Sequence, residues 1–169
     1  MASSDQERYI LHLNHALAME SALVDHLERR ANEISVQEIR QRILQHRDET
    51  VQHRDTVRGI IESLNGEPTS TKANVQAPIT PGMLGRVITA LESEKEDRFL
   101  LETLADFAVE NYEAGVYQTL ALIARNLGYP GHASRFDTIR QQEESMAAFV
   151  SRTAPQAINA AFPATRKAA

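Results

Sequence analysis

Residues 46–53 read His46-Arg47-Asp48-Glu49-Thr50-Val51-Gln52-His53, and they interrupt a helix. On either side, apolar residues recur every three or four positions: Val36, Ile39 and Ile43 before, Val57, Ile60 and Leu64 after. That spacing marks one face of an α-helix. Carried through the gap, it lands on His46, Thr50 and His53, with Glu49 one step to the side. A face that should be apolar turns acidic and basic halfway along, then becomes apolar again.

Toward the N-terminus, residues 5–32 predict a first helix, opened by Ser4 and Glu7 at capping-box spacing. Its stripe is Ile10, Leu13, Leu17, Val24, Leu27 and Ala31, and the missing member is Glu20. Ser35 and Glu38 repeat the capping box, so only a short link precedes the second helix, which folds back antiparallel. The second helix ends at Asn65-Gly66, a left-handed stop.

Toward the C-terminus, residues 67–79 have no periodicity. Thr80-Pro81 then reads as an N-cap with proline in the first turn of a short helix carrying Met83, Leu84, Val87, Ile88 and Leu91. A connection of roughly 30 residues crosses the length of a bundle. A third helix is expected over residues 94–127, closed by Gly128 and Pro130, with a break near the charge run 94–97. Its stripe is Leu100, Thr103, Phe107, Ala114, Tyr117, Ala121 and Ala124, with Glu110 in the gap and Glu113 three residues on. Residues 116–127 are apolar almost all round, which predicts burial at a subunit interface. The fourth helix, residues 133–152, carries Phe136, Ile139, Met146 and Val150, and its gap is filled by Glu143. The expectation is an all-α, ferritin-like four-helix bundle over residues 1–153, with a long crossover between helices two and three. An Ala- and Pro-rich tail, 154–169, is expected to fray or to dock on the surface.

Composition agrees. The 169 residues suit one domain, and helix formers dominate. A formal charge of −5 with no basic block argues against nucleic acid or a membrane as partner. With no cysteine, thiolate zinc sites, iron–sulfur clusters and disulfides are excluded. The first residues show no basic start followed by an apolar run, and no apolar run approaches the roughly 20 residues of a spanning helix. A cytoplasmic protein is expected.

Four mid-helix acids, Glu20, Glu49, Glu110 and Glu143, would meet at one height in such a bundle. Glutamate is almost never fully buried without a partner, and four like charges close together repel. Two divalent cations neutralise four carboxylates, which is the charge balance of a dinuclear metal centre. His46 lies one turn from Glu49, and His53 four residues beyond it. Their nitrogens favour iron or manganese over calcium or magnesium. The chain has no literal Glu-x-x-His of the kind that di-iron bundles carry on two helices. Taken singly, each Glu reads as a boundary residue reaching water; the coincidence of type, face and height favours metal. His12, His15, His26 and His132 fall off the stripes, Glu144 reads as surface, and Tyr112 and Tyr117 read as packing.

With these residues in view, the chain resembles the YciE/YciF family of bacterial ferritin-like stress proteins. The resemblance spans roughly residues 8–152 and rests on Ala18-Met19-Glu20 with Leu23, His46-x-x-Glu49-Thr50, Val109-Glu110-Asn111-Tyr112-Glu113, Leu127-Gly128-Tyr129 and Glu143-Glu144. It implies a ferritin-like bundle with a di-iron-type site, often in a dimer, and supports Glu20, His46, Glu49, Glu110 and Glu143, with Glu113 as a further ligand. Relatives usually carry His at Asn111, Gln at His53 and Asp near Ala147. The missing Asp implies a looser second metal, with His53 compensating.

The expected function is a ferroxidase: a centre of two iron ions, or manganese, in which Fe(II) is oxidised by O2 or H2O2 for protection against stress, in a homodimer rather than a storage cage. Its rivals are a structural bundle with an empty or single-metal site, and a manganese site that dismutates peroxide.

Overall fold

The structure, a computed structural model, describes residues 4–69 and 95–162. Among these residues all regular structure is helical: α1 (Ser4–Glu33), α2 (Gln37–Ser63), α3 (Lys95–Asn126) and α4 (Pro130–Ala161). The all-α four-helix bundle is as expected. The short crossover helix expected over 80–91 lies outside the described residues, as does the end of the tail.

α1 packs along α2 and α3 along α4, and the two hairpins join through α2 against α4 and α1 against α3. The apolar core falls into two parts. One gathers Tyr9, Leu13 and Leu17 with Val57, Ile60 and Ile61, and with Leu120, Ala124 and Phe136. The other gathers Leu27, Ala31, Ile34, Ile39, Ile43, Met146 and Val150, with Phe99 against it. Both α2 and α3 therefore begin at the second part and end at the first, so they run parallel. Asn65 and Lys95 stand at opposite ends of the bundle, as a lengthwise crossover requires. Each fully buried Leu or Phe contributes about 1.5–3 kcal/mol. These two apolar blocks are what hold the polar middle between them.

Two helix ends show why the chain turns where it does. Asn65 adopts φ 57°. Its N–H donates to the Glu62 carbonyl at 2.9 Å, and the Gly66 N–H donates to Ile61 at 3.0 Å, which together satisfy the last carbonyls of α2. Gly66 is tightly packed: a Cβ there would sit 3.0 Å from both Ile10 Cγ2 and Ile61 Cγ2, and those side chains would have to give. Gly128, at φ 81°, closes α3 in the same way, with Tyr129 N–H on the Ala124 carbonyl at 2.8 Å. Asn14, buried on α1, then clamps the departing chain: its amide donates to the Glu67 carbonyl at 3.2 Å and accepts from the Thr69 N–H at 2.7 Å.

Four local expectations are corrected. Ser35 does not cap α2; Val36 holds that position and no side chain caps it. Phe107 is 40% exposed, because the buried face of α3 turns toward Asp106 and Glu113. The turn is set by Arg30 of α1, itself buried, which donates to Asp106 at 2.9 Å and to Glu102 at 2.7 Å. No break follows Lys95: α3 continues unbroken to Asn126. Finally, α4 does not stop near residue 152. It begins at Pro130, runs through Pro155 to Ala161 and buries Ala157 completely. Pro155 removes one backbone donor from that last stretch, yet the helix continues past it to Ala161.

Candidate metal centre

Between the two apolar blocks, each helix sends polar side chains inward. α1 gives Glu20, α2 gives His46 and His53, α3 gives Glu110 and Glu113, and α4 gives Glu143; all six are at most 2% exposed. His46 and His53 share a face because seven residues make almost two full turns at about 3.6 residues per turn. Glu110 and Glu113 lie one turn apart on α3.

The six side chains form two overlapping groups. His46, Glu110, Glu113 and Glu143 bring one donor atom each to within 4.8 Å of one another, and Glu20, His53 and Glu143 do the same. Glu143 belongs to both. Its Oε1 is 2.8 Å from His53 Nδ1, and its Oε2 is 3.4 Å from His46 Nε2. His46 Nε2 is also 3.0 Å from Glu110 Oε2, and His53 Nδ1 is 4.0 Å from Glu20 Oε2.

Close as these atoms are, they are not aligned as hydrogen bonds. Glu20 Oε2, Glu110 Oε2, Glu113 Oε2, both oxygens of Glu143 and His53 Nδ1 are fully buried without a hydrogen-bond partner. A buried polar atom left without a partner costs about 1–3 kcal/mol, and more if charged. Six such atoms converge on one volume, and the groups they belong to could hold a metal ion. The residues present therefore fit a dinuclear centre: four carboxylates, two imidazoles, and one carboxylate shared between the two groups.

The electrostatics of the cluster show the same strain. Burial pushes the Glu20 carboxyl up to about 8, though His53 opposes it, and pushes Glu110 up to about 7 against the pull of His46. Glu113 is raised well above the ordinary carboxyl range by burial and by Glu143, Glu20 and Glu110. Burial alone would lower His46, yet the facing Glu110 raises it to about 10. His53 is raised too, by Glu143 and Glu20 against its burial.

Glu49 stands apart. At about 100° per residue it lies some 60° round the helix from His46, half-buried at the rim. Burial would raise its carboxyl, but His46 and Arg42 outweigh this and hold it down at about 2. It accepts from Arg42 at 3.2 Å and from Gln45 at 2.9 Å, and one oxygen lies 3.1 Å from His46 Nδ1, the nitrogen facing away from the cluster. Of the seven residues singled out in the sequence, the fold thus brings six together, and the fourth central carboxylate is Glu113, not Glu49.

Two contributors were not legible as such. Tyr117, completely buried, donates its hydroxyl to Glu20 Oε1, and its ring lies 6.1 Å from that of His53. Burial first, and Glu20 next, keep this phenol well above its usual range and so protonated. Its stripe position opposite Glu20 was the available signal. Gln142, beside Glu143, places Oε1 2.9 Å from His53 Nε2, and nothing in the spacing marks it. Thr50 faces the core but donates to the His46 carbonyl at 2.9 Å. Asn111 is exposed, donates back to the Phe107 carbonyl at 2.7 Å and does not face the cluster. Ala147 is buried and brings no donor.

A family described as a domain of unknown function, DUF892, matches residues 4–162. The chain belongs to that family. Two crystal structures share its fold. One is a protein of Xanthomonas campestris pv. campestris, 28% identical, covering 93% of this chain and 95% of its own, with a TM-score of 0.74. The other is the Escherichia coli stress protein YciF, 22% identical, covering 94% and 99%, with a TM-score of 0.73. The resemblance read from the motifs is thereby borne out at the level of family and fold. No curated protein matches the chain. Among the described residues, no helix is long and apolar enough to cross a membrane.

Proposed function

We propose that this DUF892 protein is a di-iron carboxylate protein that oxidises Fe(II) with O2 or H2O2. The observation that carries the reading is the convergence, from all four helices, of six buried ligand atoms that make no hydrogen bond. Four carboxylates balance two divalent cations, and imidazole nitrogens beside carboxylate oxygens suit iron or manganese better than calcium or magnesium. When bound, the two metal ions supply a one-electron couple, Fe(II) to Fe(III), for reducing the oxidant.

The chain's own part is to bind, orient and exclude water. His46, Glu110 and Glu113 would hold one ion, Glu20 and His53 the other, and Glu143 would bridge. The apolar blocks above and below keep bulk water from the cluster, which strengthens every charge interaction inside it. Tyr117 fixes one oxygen of Glu20, leaving the other free for a cation. That YciF is a stress protein supports a protective role. The reading includes a homodimer, for which the outward apolar residues Leu104, Phe107 and Leu122 of α3 offer a surface.

Anaerobic loading with Fe(II), then exposure to O2 or H2O2, tests this by near-ultraviolet absorbance. The expected result is a new absorption that saturates at two iron ions per chain and is lost in Glu143→Ala. No iron-dependent absorption in the wild type would sink the proposal and favour a structural bundle. Absorption with manganese under peroxide and not with iron would move it to a manganese site.

A further inference from the structure

His46 and His53 face the cluster through different ring nitrogens. His46 turns Nε2 inward, 3.0 Å from Glu110, and His53 turns Nδ1 inward, 2.8 Å from Glu143. Each outward nitrogen meets a different acceptor: Glu49 Oε2 at 3.1 Å on His46, and Gln142 Oε1 at 2.9 Å on His53. We propose that Glu49 and Gln142 are positioning residues that make the two halves of the centre unequal, so that cations load in order, first beside His46 and then beside His53. The inference rests on the dinuclear reading above and extends it to the order of binding.

The reasons are chemical. A neutral imidazole carries one proton, and a metal-binding nitrogen must be free of it. An acceptor on the outer nitrogen keeps the proton there and leaves the inner lone pair for the cation. A carboxylate acceptor makes the ring a stronger donor than a neutral amide does. Glu49 is anchored for this task by Arg42 and Gln45. The donor count points the same way. The His46 half offers three carboxylates with its imidazole, whereas the His53 half offers two, and Glu20 there already has one oxygen taken by Tyr117. Glu143 serves both, so the first ion also presets the carboxylate that the second will use.

The account recasts Glu49, on sequence grounds a ligand, as a residue that acts through His46. Glu49 is half-buried at the rim, has three hydrogen-bond partners and belongs to neither group of converging ligand atoms. Gln142 likewise gains a role that no motif suggests.

Titration of the metal-free full-length chain with Co(II), followed by calorimetry and visible absorbance, tests the idea without any turnover. The wild type is expected to show two steps of unequal affinity. Glu49→Gln should weaken the first step by about 10–100-fold, the usual cost of losing such a partner, with the second step little changed. Gln142→Leu should weaken the second step alone. Gln142→Glu should tighten it by about tenfold, a gain that a merely structural role would not produce. Circular dichroism of the metal-free variants confirms that each is folded. Two equal steps in the wild type, or unchanged steps in Glu49→Gln and Gln142→Glu, overturn the inference and leave the dinuclear reading standing. No Co(II) binding by the wild type overturns both.

Discussion

Glu143 gives one carboxylate oxygen to each of two histidines, Oε1 at 2.8 Å from His53 Nδ1 and Oε2 at 3.4 Å from His46 Nε2. It is completely buried, and neither oxygen makes a hydrogen bond. A carboxylate so placed is costly alone, and in the dinuclear reading it would serve both ions. Glu143→Gln should therefore abolish the second bound cation and weaken the first, cutting metal content from two ions per chain to one or none. Glu20→Gln should remove one ion only. Metal analysis after dialysis against limiting free Fe(II) or Mn(II) separates the two variants; equal, full loading of both would contradict the bridging role.

The metal-free chain should become less stable as pH rises. Glu20 and Glu110 have ordinary values of 4.5 and folded values of about 8 and about 7, and His46 goes from 6.5 to about 10. A raised folded value means that the proton is held more tightly in the native state. The stabilisation is complete below the unfolded value and is lost as pH climbs through the folded one. Glu49, depressed from 4.5 to about 2, acts oppositely and loses its contribution only as pH falls toward 2. Thermal unfolding in chelator should give a melting temperature that is highest near about pH 5 and declines toward pH 9. With a divalent cation present the slope should reverse, because binding displaces those protons.

Tyr117→Phe should cost about 1–3 kcal/mol in the metal-free protein, since Glu20 Oε1 would then be buried without a donor. At this chain length each kcal/mol corresponds to about 2–4 °C in the melting temperature. Metal loading should recover part of the loss. A variant as stable as the wild type would show that the phenol does not hold Glu20.

Gly66→Ala is the control far from the site. Its Cβ would press on Ile10 and Ile61 at 3.0 Å, so destabilisation of about 1–3 kcal/mol is expected. The number of cations bound should stay at that of the wild type. Loss of metal in a folded Gly66→Ala would show that the end of α2 and the centre are coupled.

On the outer side of α3, Leu104, Phe107 and Leu122 are 55%, 40% and 58% exposed. In the proposed homodimer, Phe107→Asp with Leu122→Glu should give a monomer by light scattering, with a change in monomer stability within about 0.5 kcal/mol. A dimer that survives both substitutions would place the interface elsewhere.

The fold was legible because its signals are local and periodic. Apolar stripes at helical spacing, the Asn65-Gly66 stop and the short turn before α2 each act within a few residues. Glu20, Glu110 and Glu143 were legible because acids in an apolar stripe must meet something. Phe107 was misplaced, and Glu49 lies at the rim and not among the converging side chains, because periodicity fixes a face only to about a third of a turn and packing chooses within that range. Arg30 made the choice on α3 by pairing with Asp106, turning Glu113 inward and Phe107 outward. On α2, Arg42 and Gln45 hold Glu49 at the rim. Partners on other helices carry no mark in sequence, which is also why Gln142 was invisible. The length of α4 was underestimated because its last stretch, rich in Ala and Pro, carries no apolar stripe, although the helix runs to Ala161 and buries Ala157.

The central claim is tested most directly by anomalous scattering at the iron edge, from a crystal grown with Fe(II). Two peaks in the bundle core are expected, one on each side of Glu143. The first should be bounded by His46, Glu110 and Glu113, the second by Glu20 and His53, with Glu49 bound to neither. An iron-grown crystal with no peak among these six side chains would contradict the account.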